Sequence, residues 1–254
     1  MNANFLKIEP EGRLLRLRLA RPDRRNALTA DLCQELLTAI EKAEADSSLG
    51  AMLLEAEGPV FCAGMDLNEA LDRAAELHSL HERLFSLGFS ITKPLIAAVQ
   101  GPALGGGVGL VANAHVALAA QGATFGLTEI RVGMWPFLIF RSVAAAIGER
   151  RTVELALSGR IFSAQDALHW GLVHELAPPI ELEDRALAVA HNIASSSSQA
   201  IRLGLACLAE ARRHPPEHWS EIARRYRHLA FQSADFHEGV TAFREKRKPV
   251  WRYD

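Results

Sequence analysis

Leucine and arginine alternate through Leu15-Arg16-Leu17-Arg18-Leu19, behind the turn residues Glu11-Gly12. That period of two is the mark of a strand with one buried face. Between residues 30 and 45 the period lengthens. Leu32, Leu36, Leu37, Ile40 and Ala43 share one helical face, and Thr29 stands at the N-cap position. Three short apolar runs follow, over 51–55, 95–99 and 116–120, and each reads as a strand buried on both faces. Farther on, Ser163 caps a helix over 164–170 that Gly171 ends. A strand over 172–176 is stopped by Pro178-Pro179, and helices are expected over 181–194, over 199–213 and from about 217 to 246. Buried strands interleaved with helices make the fold class α/β, with a parallel or mixed sheet covered by helices. No long internal repeat is present. The natural division is a core over 1–195 and a helical C-terminal segment over 196–254, too short to hold much core alone.

One stretch breaks the usual mixture of charge. From Pro94 to Thr128 there is no Asp, Glu, Lys or Arg. A membrane span needs about 20 unbroken apolar residues, whereas this stretch contains Gln100, Pro102, Asn113, His115 and seven of the 18 glycines. Such punctuation suits buried strands joined by tight loops, so no membrane association is expected. Lys plus Arg is 28 and Asp plus Glu is 30, a net charge of −2 that argues against a nucleic-acid partner. Cys33, Cys62 and Cys207 are odd in number and lack metal-ligand spacing. With no signal pattern at the N-terminus, they read as reduced thiols in a cytoplasmic protein.

Two glycine-containing loops follow expected strands: Gly58-Pro59-Val60-Phe61-Cys62-Ala63-Gly64-Met65-Asp66-Leu67 and Gln100-Gly101-Pro102-Ala103-Leu104-Gly105-Gly106-Gly107-Val108-Gly109. Glycines before a helix let a ligand approach backbone N–H groups, which stabilise anions. Three consecutive glycines also occur simply where backbones pack closely. No Gly-Lys-Ser/Thr follows, so the second loop is not a P-loop, and it lacks the spacing of a dinucleotide fingerprint.

Taken together the two loops are far more specific. With Arg21-Pro22, Asn26-Ala27-Leu28, Lys93-Pro94-Leu95-Ile96-Ala97-Ala98-Val99, Phe125-Gly126, Glu129-Ile130, Gly133, Ala167-Leu168 and Trp170-Gly171-Leu172-Val173, they resemble the crotonase superfamily, the enoyl-CoA hydratase/isomerase family, over about residues 5–250. The resemblance implies a spiral of ββα turns with a helical C-terminal trimerisation region, hence a homotrimer or a dimer of trimers. It implies acyl-CoA thioester substrates, with coenzyme A part of the substrate and no metal or other cofactor. Two backbone N–H groups hold the thioester oxygen in this family, and the matching positions are Met65 and Gly106. Two fixed donors stabilise the enolate formed when a proton leaves the carbon beside a thioester. The resemblance also places Arg25, Ala27, Leu28, Ala63, Asp66 and Leu67 along the CoA and acyl path.

The carboxylates decide the reaction. Family hydratases commonly carry two glutamates, and the matching positions are Gly109 and Glu129. Only the second is acidic. Hydration asks for help with both the water and the α-proton, whereas moving a double bond from β,γ to α,β needs one base. The glycine-rich loop usual after Glu129 in hydratases is replaced by Met134-Trp135-Pro136-Phe137-Leu138-Ile139-Phe140. Apolar walls there would raise the Glu129 pKa, and Trp135 and Phe137 either line the acyl pocket or belong to the core. The structural alternative for Glu129 is a salt bridge to Arg131 or another surface partner.

Lesser candidates are His78 and His81, one helical turn apart, which fit a solvated face or a pocket rim better than a metal pair. Asp66 is expected to cap the next helix, Cys62 to be a small buried residue, and His115 a satisfied core residue. Arg24-Arg25 and the run Arg244 to Lys248 match CoA-contacting regions but also suit solvated charge. The favoured function is an enoyl-CoA double-bond isomerase. A hydratase with one recognisable glutamate is the first alternative. A catalytically inactive CoA- or RNA-binding scaffold, suggested by the arginine clusters, is the second.

Overall fold

The computed structural model describes residues 5–252. The strands are β1 (Leu6–Glu11), β2 (Leu14–Leu19), β3 (Ala51–Ala56), β4 (Leu95–Val99), β5 (Ala103–Leu104), β6 (Val116–Ala120), β7 (Thr124–Gly126), β8 (Ile161–Ser163) and β9 (Glu175–Ala177). The helices are α1 (Ala30–Ala45), α2 (Ala74–Leu84), α3 (Gly106–Asn113), α4 (Phe137–Ile147), α5 (Glu149–Ser158), α6 (Ala164–Trp170), α7 (Leu182–Ala194), α8 (Ser198–Ala211), α9 (Trp219–Phe231) and α10 (Ala234–Glu245).

A six-stranded sheet runs in the order β1-β2-β3-β4-β6-β9. Only the β1–β2 pair is antiparallel, and the register sets Leu14 beside Ala51, Leu53 beside Ile96 and Ala97 beside Ala117. Alternate residues therefore face opposite layers. Met52, Leu54, Ala97 and Val99 join α1 in the larger core. Ala51, Leu53, Ile96 and Ala98 pack against Leu182, Ala186, Ala190 and Ala194 of α7. Helices on both faces are the reason these strands read as unbroken apolar runs.

The polar face of β2 is covered too. Arg16 forks onto Glu55 of β3 at 2.8 and 2.9 Å, and Glu183 of α7 meets both Arg16 and Arg18. Alternation alone implied a solvated face. A buried carboxylate, with Glu55 only 6% exposed, demands the pairing that these arginines supply.

Thr29 caps α1 by accepting the Leu32 N–H, and Ser163 forms a capping box with Asp166 at the start of α6. Gly171 ends α6 in the left-handed conformation. Three expectations shift. β1 was not anticipated, because only Leu6 of this edge strand is buried. The strand expected over 172–176 is the shorter β9, since Leu172 turns back to donate to the Ala167 carbonyl. The long C-terminal helix divides into α9 and α10, where the Ser233 side chain accepts the Phe236 N–H and caps a new start.

The uncharged stretch forms β4, β5, α3, β6 and β7. Among the described residues, no helix is long and apolar enough to cross a membrane. β5 belongs to a smaller sheet ordered β5-β7-β8. It also bridges the first loop, with the Leu104 N–H donating to the Cys62 carbonyl at 2.9 Å. Both glycine loops are thereby held at one end of the sheets.

Candidate active site

Leu28 fixes the direction of the first loop. Its N–H donates to the Gly64 carbonyl at 2.8 Å, and its carbonyl accepts the Asp66 N–H at 3.0 Å. The parallel bridge between Leu28 and Met65 leaves the Met65 N–H pointing away from Leu28. Gly64 has φ +88°, a conformation that suits glycine, and a Cβ there would lie 3.1 Å from the Gly106 nitrogen. Gly106 opens α3, so its N–H has no partner within the helix. Among the described residues, neither the Met65 nor the Gly106 N–H donates to another group of the chain.

Glu129 begins a short 3-10 turn after β7. A Cβ on Gly105 would lie 3.1 Å from its Oε1, which places the carboxylate against the second loop. Oε2 is buried and has no hydrogen-bond partner. Burial pushes the carboxyl above the usual carboxylate range, opposed by a hydrogen bond from its own backbone. The salt bridge to Arg131 does not form: Arg131 donates to the Gly159 carbonyl at 2.7 Å.

Met65, Gly106 and Glu129 share the wall of one cavity of about 310 Å³. Ala63, Leu67, Trp135 and Phe137 also line it, so both aromatic residues belong to the pocket. Arg25, Ala27, Leu28 and Asp66 do not reach this cavity. Arg25 is exposed, while its carbonyl holds the Ala63 N–H at 3.0 Å. Asp66 is buried, accepts the Asn68 backbone and side-chain N–H groups, and pairs with Arg21 at 3.4 Å. It caps a turn instead of a helix, because α2 starts only at Ala74.

Sequence reasoning missed Phe85 and Ile139. A Cβ on Gly109 would lie 2.3 Å from Cγ2 of Ile139 and 2.9 Å from Cδ1 of Phe85. The volume that a side chain would take on this turn of α3 is therefore filled from α4 and from the end of α2. The only signal was local: Phe85 falls one turn after His81 and so shares its helix face. His81 differs from the solvated or rim reading. It lines the cavity, is 6% exposed, and has an unpartnered Nε2. His78 also lines the cavity but is exposed.

Cys62 is fully buried and burial pushes its thiol up to about 12, the state of an inert thiol. His115 accepts the Leu95 N–H on Nδ1 at 3.0 Å, as a satisfied core residue would. Among the described residues, no group of three His, Cys, Asp or Glu side chains is placed to hold a metal ion.

The enoyl-CoA hydratase/isomerase family model matches residues 9–254. The chain belongs to the enoyl-CoA hydratase/isomerase family. It is 33% identical over 254 residues to 2,3-dehydroadipyl-CoA hydratase of Escherichia coli, covering 97% of this chain and 98% of that one. It is 29% identical over 258 residues to 1,2-epoxyphenylacetyl-CoA isomerase of the same organism, covering 96% and 97%. The fold matches a crystal structure of enoyl-CoA hydratase from Bacillus anthracis with TM-score 0.93 at 27% identity, over 99% of this chain and all of the other. The α/β architecture described above is thus the crotonase fold, and the chain is a crotonase-type enzyme. Within this chain, position 109 is glycine, and residues 134–139 line the same cavity as Glu129.

Proposed function

We propose that this family member is an enoyl-CoA double-bond isomerase acting on acyl-CoA thioesters. The thioester oxygen sits between the Met65 and Gly106 N–H groups. The Glu129 carboxylate takes a proton from C2 of a 3-enoyl-CoA. The C–H electron pair forms the C1=C2 bond of a dienolate, and charge moves onto the thioester oxygen, where the two donors stabilise it. Collapse of the dienolate makes C2=C3, and C4 receives the same proton back from Glu129. Atoms and electrons balance with one base and no redox partner.

The observation that carries this reading is the packing of Ile139 and Phe85 into the place of a Gly109 side chain. It leaves Glu129 as the acid of the cavity, with an unpartnered oxygen and a pKa raised by burial. A carboxylate in an apolar wall is suited to giving and taking a proton near neutral pH.

The hydratase reading is favoured by the similarity to 2,3-dehydroadipyl-CoA hydratase. In it, Glu129 works alone or with another acid. A scaffold role is less favoured, because Arg225 pairs with Glu210 and Arg247 forks onto Glu238, so these clusters are partly neutralised. The deciding assay supplies 3-enoyl-CoA and 2-enoyl-CoA separately and follows each spectroscopically. Conversion of 3-enoyl-CoA to 2-enoyl-CoA supports the isomerase. Hydration of 2-enoyl-CoA without isomerisation of 3-enoyl-CoA overturns it.

A further inference from the structure

The cavity contains a second buried polar atom for which the proposed chemistry has no use. His81 lies one turn before Phe85 on α2, with ring centroids 5.3 Å apart. The Phe85 ring in turn abuts Gly106, whose missing Cβ would lie 3.1 Å from its Cζ. The Phe85 ring therefore stands between His81 and the Gly106 loop. His81 is 94% buried, since 6% of its surface is exposed, and its Nε2 has no partner. Burial, aided by the neighbouring His78, pushes the ring pKa down to about 4, so the imidazole is neutral at pH 7. A neutral imidazole carries one donor and one acceptor nitrogen. Its terminal torsion is broad, which lets Nε2 turn toward a ligand without moving α2.

The remaining wall is largely apolar and includes Val132, Met134, Trp135 and Phe137. His81 Nε2 is shut off from solvent and unpaired, at a cost in free energy that a hydrocarbon chain does nothing to relieve. An oxygen atom on the chain removes that cost. We propose that His81 hydrogen-bonds a hydroxyl or carbonyl on the acyl chain, so that the cavity selects oxygen-bearing acyl-CoA thioesters over plain hydrocarbon ones. A site built to hydrogen-bond a ligand group discriminates strongly against the analogue that lacks it. This inference rests on the acyl-CoA reading of the cavity, and is independent of whether the reaction is isomerisation or hydration.

The test is equilibrium binding with saturated thioesters, which neither reaction consumes. Hexanoyl-CoA is compared with 4-oxohexanoyl-CoA, 5-hydroxyhexanoyl-CoA and 6-hydroxyhexanoyl-CoA by titration calorimetry. At least one oxygenated chain should bind more tightly than hexanoyl-CoA by about tenfold or more. His81→Leu should bring that ratio close to one, by weakening the oxygenated thioester relative to hexanoyl-CoA. His81→Gln, which keeps a hydrogen-bonding group, should retain most of the preference. Equal binding of all four thioesters overturns the proposal, as does a preference that survives His81→Leu. Equal loss of every ligand in both variants also overturns it, by showing a purely structural role. Failure of all four to bind wild-type protein overturns the acyl-CoA reading, and this proposal with it.

Discussion

Gly109 and Ile139 occupy one volume: a Cβ on Gly109 would stand 2.3 Å from the Ile139 Cγ2. Ile139 is 3% exposed and cannot step aside into solvent. Ala normally stabilises a helix relative to Gly by roughly 1 kcal/mol. Here the overlap should reverse the sign, and Gly109→Ala should destabilise the protein by about 1–3 kcal/mol in urea unfolding. Combined with Ile139→Ala, it should cost clearly less than the sum of the single changes. Additive effects would show that the two positions do not compete for space. Gly109→Glu should accordingly yield unfolded protein, with no gain of hydratase activity.

Glu129→Gln should lower turnover of 3-enoyl-CoA by about 10³-fold or more, on the scale of a lost general base. It should also raise stability at neutral pH. The Glu129 pKa is higher folded than unfolded, so its burial costs nothing below the unfolded value near 4.5. The cost grows as pH rises through the folded pKa and is complete above it. The stability gain of the variant in thermal melts should therefore be absent at pH 4 and present at pH 8. For the same reason, kcat/KM of the wild type should rise with pH through a value above the usual carboxylate range.

Two histidines give the opposite slope in acid. Burial pushes both His81 and His115 down to about 4. From pH 6.5 down to 4 the unfolded chain binds protons at these rings and the folded chain does not. Folding stability should fall through that window, by at most about 1.4 kcal/mol per pH unit for each ring. His81→Leu should remove about half of the two-histidine contribution to the slope. An unchanged slope in denaturant titrations at pH 6.5, 5.5 and 4.5 would refute the assignment.

The two donors can be separated from their side chains. Met65→Ala keeps the backbone N–H and should hold kcat within about tenfold of wild type, far above the effect expected for losing a donor. At the first residue of α3, proline is locally tolerated, because that position has no intrahelical N–H bond. Gly106→Ala adds a Cβ beside Leu28 and Phe85 but retains the N–H, whereas Gly106→Pro removes it. The proline variant should be slower than the alanine variant by about 10²–10³-fold in kcat. Equal rates for the two, with far-UV circular dichroism unchanged, would remove Gly106 from the oxyanion role.

Much of this molecule was legible along the chain because the deciding forces act over a few residues. The Thr29 and Ser163 caps, the Gly171 stop and the apolar runs of β3, β4 and β6 report their own local geometry. So do the two glycine loops and the absence of an acid at Gly109. Other features depend on segments far apart in sequence. Arginines on β2 read as solvated until Glu55 and Glu183 close on them. His81 read as a surface or rim residue until the cavity walls enclosed it. Glu129 had a plausible partner two residues away, and only the tertiary structure sends Arg131 to Gly159 and leaves the carboxylate oxygen unpaired. Gly109 shows the boundary most clearly. The sequence by itself determined that a carboxylate is missing there. Which atoms take the space was decided by α2 and α4 packing against α3, because an interior is filled by whatever neighbouring elements bring to it.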